Sequence, residues 1–216
     1  MRRQIALFAL GAASIVGASP AAAKTPAEAY AACLTQSRPT QVRDLLEAVS
    51  AQAAKNRYEV LANDDRCFTR VFGGHPFKPE DGAASMDMLR GRLAEAVLGD
   101  DEGRVAALKA LPVQQKRYIR PWFASTGRHP AVDEMGACMA DTDPAGIAAL
   151  IETSPGTADE NAALSALSPA LTKCLSAGTR LDASREALRA ALADALYQRL
   201  NNPSLSLANL APERGR

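Results

Sequence analysis

The sequence predicts an all-α protein made of two tandem copies of a disulfide-stapled multi-helix unit. Apolar residues recur at helical spacing, and no alternating run is long enough for a strand. The chain is 47% hydrophobic but only 5% aromatic, so its core must be built from Ala, Leu and Val, which suits closely packed helices. Finally, Cys33 and Cys138 each stand six residues before a proline, Pro39 and Pro144, and each is followed by a second cysteine, Cys67 and Cys174.

Residues 1–23 read as a secretory signal peptide. Arg2 and Arg3 form a positive start, Ile5 to Val16 an apolar run, and Ala21-Ala22-Ala23 a small-residue cleavage site. The apolar run is shorter than the roughly 20 residues that a membrane-spanning helix needs. Cys33 lies too far beyond it, after Tyr30-Ala31-Ala32, to be a lipid-anchored cysteine. Removing residues 1–23 leaves 193 residues with 23 basic and 24 acidic side chains, a net charge near −1. No global field then selects nucleic acid or an anionic membrane. An even cysteine count in an exported chain favours disulfides, and without a C-x-x-C neither a redox pair nor a zinc knuckle is supported. The expected location is periplasmic or secreted, with no membrane span after processing.

The repeat orders the rest. Val42-Arg43-Asp44-Leu45-Leu46-Glu47 falls on Ile147-Ala148-Ala149-Leu150-Ile151-Glu152 at an offset of 105. The stretch from Ser85, SMDMLRGRLAEAVL, falls on SREALRAALADALY from Ser184 at an offset of 99. The organisation is therefore a helical unit over 24–99, a linker over 100–130 with a helix and an aromatic-basic segment, a second unit over 131–202, and a flexible tail over 203–216.

Each unit reads as four short helices. The first opens with Thr25-Pro26-Ala27-Glu28, a capping box with proline at the first helical position, and its equivalent opens near Pro130. The second starts at the shared proline, with Asp143 as a cap in the second unit. The third is SAQAAKNRYEVLAN in one unit and TADENAALSAL, broken by Ser168-Pro169, in the other. The fourth carries Leu89, Leu93, Ala96 and Val97 on one face, as its equivalent carries Leu188, Leu192, Ala195 and Leu196, with Ser85 and Ser184 as caps. Residues 100–111, DDEGRVAALKAL, predict a further helix. Because a once-single unit carried its own two cysteines, the expected pairs are Cys33 with Cys67 and Cys138 with Cys174.

GACM, DPAGIAALIETSPGT, ALSPALTKCL and SREALRAALADALY together resemble small secreted bacterial proteins that share this cysteine-helix-cysteine-helix pattern. The resemblance is best over 130–200. It implies export and an all-helical build, with no activity, cofactor or catalytic residue attached.

Chemistry has few places to reside. The histidines, His75 and His129, each precede a proline near glycine, which marks loops. No H-E-x-x-H, G-x-S-x-G, G-x-x-x-x-G-K or G-x-G-x-x-G is present, and Gly99-Asp100-Asp101-Glu102 lacks the alternating carboxylates of an EF-hand. No metal, cofactor or catalytic residue is assigned. The most site-like stretch is QQKRYIRPWFASTGRHP, residues 114–130. Its Arg117, Tyr118, Arg120, Trp122, Phe123 and His129 are the candidate binding residues, able to hold another envelope protein or a small anionic ligand. The competing role for the same side chains is to fill the seam between two aromatic-poor units. A second irregular stretch, residues 70–82, is an insertion that reads as a contact loop or a surface excursion. The leading functional expectation is a non-enzymatic, envelope-associated interaction or structural protein. The alternatives are small-ligand binding in a groove between the units and an exported hydrolase using His129 or His75 with a carboxylate such as Asp133.

Overall fold

The computed structural model describes residues 24–73, 83–114, 118–175 and 181–203. Among them lie helices α1 (Pro26–Ser37), α2 (Pro39–Leu46), α3 (Ala51–Ala62), α4 (Asp65–Phe72), α5 (Ala83–Asp100) and α6 (Glu102–Ala106). A single 3-10 turn, Pro121–Ser125, follows, and then α7 (Pro130–Thr142), α8 (Pro144–Ile151), α9 (Ala158–Cys174) and α10 (Arg185–Asn201). No strand occurs among the described residues, and none of their helices is long and apolar enough to cross a membrane.

Local chemistry sets most helix starts. Thr25 Oγ1 accepts from the Glu28 N–H at 3.3 Å while a Glu28 carboxylate oxygen accepts from the Thr25 N–H at 2.7 Å, so α1 opens on a complete capping box. Asp143 caps α8 by accepting from the Gly146 N–H at 2.9 Å, and Ser184 caps α10 by accepting from the Ala187 N–H at 3.1 Å. Proline occupies the first turn of α2 and of α8, where its missing N–H costs nothing.

Four boundaries differ from the sequence reading. Helix α5 begins at Ala83, so Ser85 lies inside it rather than capping it. The stretch before Cys67 is two helices, because Asp64 accepts from the Cys67 N–H and starts α4 anew. Helix α9 instead runs through Pro169. Ser168 and Pro169 are solvent-exposed, so water can reach a carbonyl freed by the proline, and the hydroxyls of Ser165, Ser168 and Thr172 accompany the turn by donating to carbonyls four residues back. After Asp100 only the five residues of α6 are helical. The tail from 204 and residues 74–82, including His75, lie outside the described residues.

The disulfides pair Cys33 with Cys67 and Cys138 with Cys174. One ties α1 to α4, the other α7 to the end of α9.

Helices α5 and α10 pack against each other at the centre. A Cβ placed on Gly91 would stand 2.3 Å from the Ala190 Cβ and 2.4 Å from its Cα, so only glycine lets the two backbones meet. Next to that contact two arginines reach across. Arg90, fully buried, donates to both carboxylate oxygens of Asp194 at 3.1 Å and to the carbonyls of Leu45 and Leu46. Arg189, equally buried, donates to Glu95 at 3.0 Å and to the carbonyls of Leu150 and Ile151 at 3.0 and 2.9 Å. Each guanidinium therefore closes the end of a short helix, α2 or α8, where carbonyls lack intrahelical partners, and pairs with an acid on the other long helix. Leucines of every layer, including Leu34, Leu45, Leu93, Leu150, Leu167 and Leu192, fill the space around this centre.

Replacing Gly91 by Ala should force the helices apart and lower stability by about 1–3 kcal/mol, read as a shift in the denaturant midpoint. Removing one bridge as the Cys138→Ala, Cys174→Ala pair should cost about 4 kcal/mol, because it opens a loop of 36 residues, and calorimetry should show the lowered melting temperature.

Candidate functional site

The aromatic-basic linker comes to rest against α7 and α10. Leu111 N–H donates to the Asp141 carbonyl at 2.7 Å, and Arg199 donates to the carbonyls of Ala140, Asp141 and Lys109. Arg120 donates to the buried Asp141 carboxylate at 3.3 Å and lies 5.3 Å from the centre of the Tyr118 ring. Trp122 is 3% exposed and meets Phe123 edge-on at 4.6 Å. Burial pushes the Tyr118 phenol upward, and it lowers the Arg120 guanidinium from its ordinary value against the pull of Asp141.

Of the candidate binding residues, Tyr118, Arg120 and Trp122 are thus buried, Phe123 is half-buried, and Arg117 lies outside the described residues. His129 is exposed at the start of α7, where its Nδ1 accepts from the Ala131 N–H at 3.2 Å. Asp133, the carboxylate considered as its partner, is instead buried and accepts from Arg128 at 2.7 Å and Thr126 at 2.6 Å. The structure therefore gathers Tyr118, Arg120 and Trp122 into a seam and leaves His129 apart from them.

The open space lies elsewhere. A groove of about 390 Å³ runs between α1, α5, α6 and α8. Its floor is apolar, with Ala96, Leu98, Val105, Ile151 and Leu196. Its walls carry Glu28, Glu95, Asp100, Glu102 and Glu152 against the two cations Lys24 and Arg92. Arg92 is buried between Glu95, at 3.3 Å, and Glu186, at 3.1 Å, and its Nε–H has no acceptor. Burial raises the Glu95 carboxyl above its ordinary value, with Arg189 and Arg92 pulling it back.

Four groove positions recur, by sequence spacing, at a filled space. Moving Ala32 on by 105, and Ala96, Gly99 and Asp100 on by 99, gives Ala137, Ala195, Gln198 and Arg199. Those four line a space of only about 10 Å³, closed by Arg120 and Trp122. Glycine and aspartate at one end of α5 are replaced there by a glutamine and an arginine, and the linker occupies what remains.

A second cleft, of about 420 Å³, is lined by Asp87, Arg128, Ser184 and Glu186 near the starts of α5 and α10. Arg128 was not singled out by the sequence reading. It bridges Asp133 and Asp194, the latter at 2.6 Å, with its guanidinium 5.8 Å from the centre of the Trp122 ring. Burial opposes the charge on Asp194, but Arg90 and Arg128 outweigh it and hold that carboxyl below its ordinary value. Asp87 accepts from the Gly127 N–H at 3.1 Å and is raised by burial, with Arg128 opposing.

Family models, curated proteins and solved structures give no match. Function is therefore argued from geometry. No cluster of three or more His, Cys, Asp or Glu suited to a metal ion occurs among the described residues. The sequence reading missed the groove residues because Arg92 and Glu95 lie within a helix of strong apolar spacing and Glu152 follows the end of another. The signal available was the contrast of Gly99-Asp100 with Gln198-Arg199 at matched positions.

The raised Asp87 gives a pH test. As pH rises past the ordinary aspartate value of about 4, the unfolded chain releases its proton before the folded one. Stability falls across that window and stays lowered above it. Asp87→Asn should flatten this slope, with denaturant midpoints at pH 4, 6 and 8 drawing closer to one another than in the unsubstituted protein.

Proposed function

We propose that this is an exported, non-enzymatic binding protein built from two copies of one helical unit, and that it holds a small ligand in the groove between α1, α5, α6 and α8. The observation that carries the reading is the unequal fate of two spaces that share four matched positions. One is plugged from within by Trp122 and Arg120, while the other keeps about 390 Å³ open over an apolar floor ringed by charge. A void of that size and lining is within the range of small-molecule sites.

The duplication is supported by the matching roles of Arg90 and Arg189, of Glu95 and Asp194, and of the two disulfides. Export is supported by the two disulfides together with the signal-like start. A contact surface on the linker draws less support, since Tyr118, Arg120 and Trp122 face inward. The hydrolase reading is weakened by His129, which is exposed and engaged with its own helix start.

Titrating isotope-labelled protein with capped peptides, polyamines and simple sugars should shift the amide resonances of Ala32, Ala96, Gly99 and Ala148, which line the groove. Ala96→Trp, which puts an indole into the groove, should abolish those shifts without unfolding the protein. If no compound moves these resonances at millimolar concentration, the reading is wrong.

A further inference from the structure

We infer that the Cys138–Cys174 bridge is a redox-sensitive clasp: a dithiol reductant opens it at Cys174 and releases the end of α9 from α7, while Cys33–Cys67 stays closed as a permanent staple. The two bridges span similar lengths of chain, 36 and 34 residues, but sit in different surroundings.

Thiol–disulfide exchange requires a thiolate to reach one of the two sulfurs, so its rate turns on access. In the first bridge both cysteines are buried, Cys33 at 5% exposure and Cys67 at 0%. Cys67 is the third residue of α4, and Phe68, Val71 and Phe72 continue that helix against the core. The Arg70 guanidinium also lies 3.8 Å from the Cys33 sulfur. In the second bridge Cys138, inside α7, is 1% exposed, but Cys174 is only half-buried. Cys174 is the last residue of α9, so no further turn of its own helix extends over it. A hydroxyl stands beside a sulfur in both bridges, Ser37 at 3.2 Å from Cys67 and Thr142 at 3.6 Å from Cys174, so burial is what separates them.

What the opening releases follows from how α9 is held. Its firm anchors lie early: Glu160 pairs with Arg189 at 3.2 Å, and Leu167 is fully buried, with its Cδ2 2.6 Å from where a Cβ on Gly146 would stand. Beyond Leu167 no residue of α9 is buried; Ala170, Leu171 and Cys174 are half-buried and the others exposed. Pro169 lacks the N–H that would bond the Ser165 carbonyl, so the helical ladder is weakest where the anchors end. The bridge supplies the tie that the last turns otherwise lack. Helix α4 keeps ties of its own, because the buried Asp64 at its start accepts from Arg38 at 2.8 Å and from the Cys67 N–H at 2.9 Å.

The chemistry is a two-step exchange. The reductant's thiolate bonds to the Cys174 sulfur as the S–S bond breaks, and the electron pair leaves on the Cys138 sulfur, which takes up a proton. The reductant's second thiol then attacks the mixed disulfide and frees Cys174 as a thiol. The protein gains two electrons and two protons, and the dithiol, which becomes a disulfide, gives them up.

The test uses the folded, unsubstituted protein, incubated with dithiothreitol for increasing times, trapped with excess N-ethylmaleimide and mapped by peptide mass spectrometry. The Cys138–Cys174 bridge should open about tenfold or more faster than Cys33–Cys67. In protein reduced at the second bridge alone, amide hydrogen exchange should rise over residues 168–174, while residues 158–167 and 65–72 stay protected. Equal rates for the two bridges, or earlier opening of Cys33–Cys67, would overturn the clasp. So would opening that keeps pace with the loss of near-ultraviolet circular dichroism, since access would then come from global unfolding. Exchange that is unchanged at 168–174, or that rises evenly over all helices, would refute the local release of α9.

Discussion

The rest of the structure depends on a reciprocal pair of buried arginines at the crossing of α5 and α10. A guanidinium removed from water must have its charge opposed and its donors met, and each of these is satisfied from two directions at once. Arg90 takes Asp194 from the opposite long helix and two carbonyls from the end of α2; Arg189 takes Glu95 and two carbonyls from the end of α8. Neither acid can move without stranding a charge, and neither short helix can shift without stranding a donor. The close approach at Gly91 and Ala190 brings the four residues within reach. Glu160, from α9, adds a further carboxylate to Arg189 at 3.2 Å, and Thr153 adds its carbonyl at 2.9 Å, contacts that Arg90 has no equal of.

That difference belongs to a wider pattern. Positions matched by sequence spacing carry the same residue types: arginine at 90 and 189, an acid at 95 and 194, proline at 39 and 144, cysteine at each end of a staple. Along one seam the matched positions differ. Tyr197, Gln198 and Arg199 stand at positions matched by Leu98, Gly99 and Asp100, and the linker lies against Gln198 and Arg199. Larger, donor-rich side chains close one space; a glycine and an acid keep the other open.

Much of this was legible in the sequence, for reasons that are local. The capping box at Thr25, the prolines at 39 and 144, and the caps Asp143 and Ser184 act within three or four residues, so a string of letters contains all that they need. The disulfide pairs followed from the repeat. Ser85 and Pro169 misled because each had a local rule that the surroundings overrode: α5 extends two residues before Ser85, and the exposed turn around Pro169 tolerates the lost donor. The central ion pairs were harder, since Arg90 and Asp194 are 104 residues apart and their pairing is a property of the crossing. Their trace was nonetheless present, because the aligned segments from Ser85 and Ser184 share an arginine and an acid amid apolar residues. The aromatic-basic linker was conspicuous for its composition alone, and composition does not say whether a tryptophan faces out or in.

The two disulfides each close within one half, and apart from the backbone of the linker no covalent bond among the described residues joins the halves. The contact between α5 and α10 is thus an association held at the high effective concentration that a tether provides, of millimolar order for a short flexible one. Two charged pairs buried in an interface between free molecules would have to compensate both desolvation and the entropy of association. Here the tether removes most of the second requirement, which is how a junction so rich in buried charge remains closed.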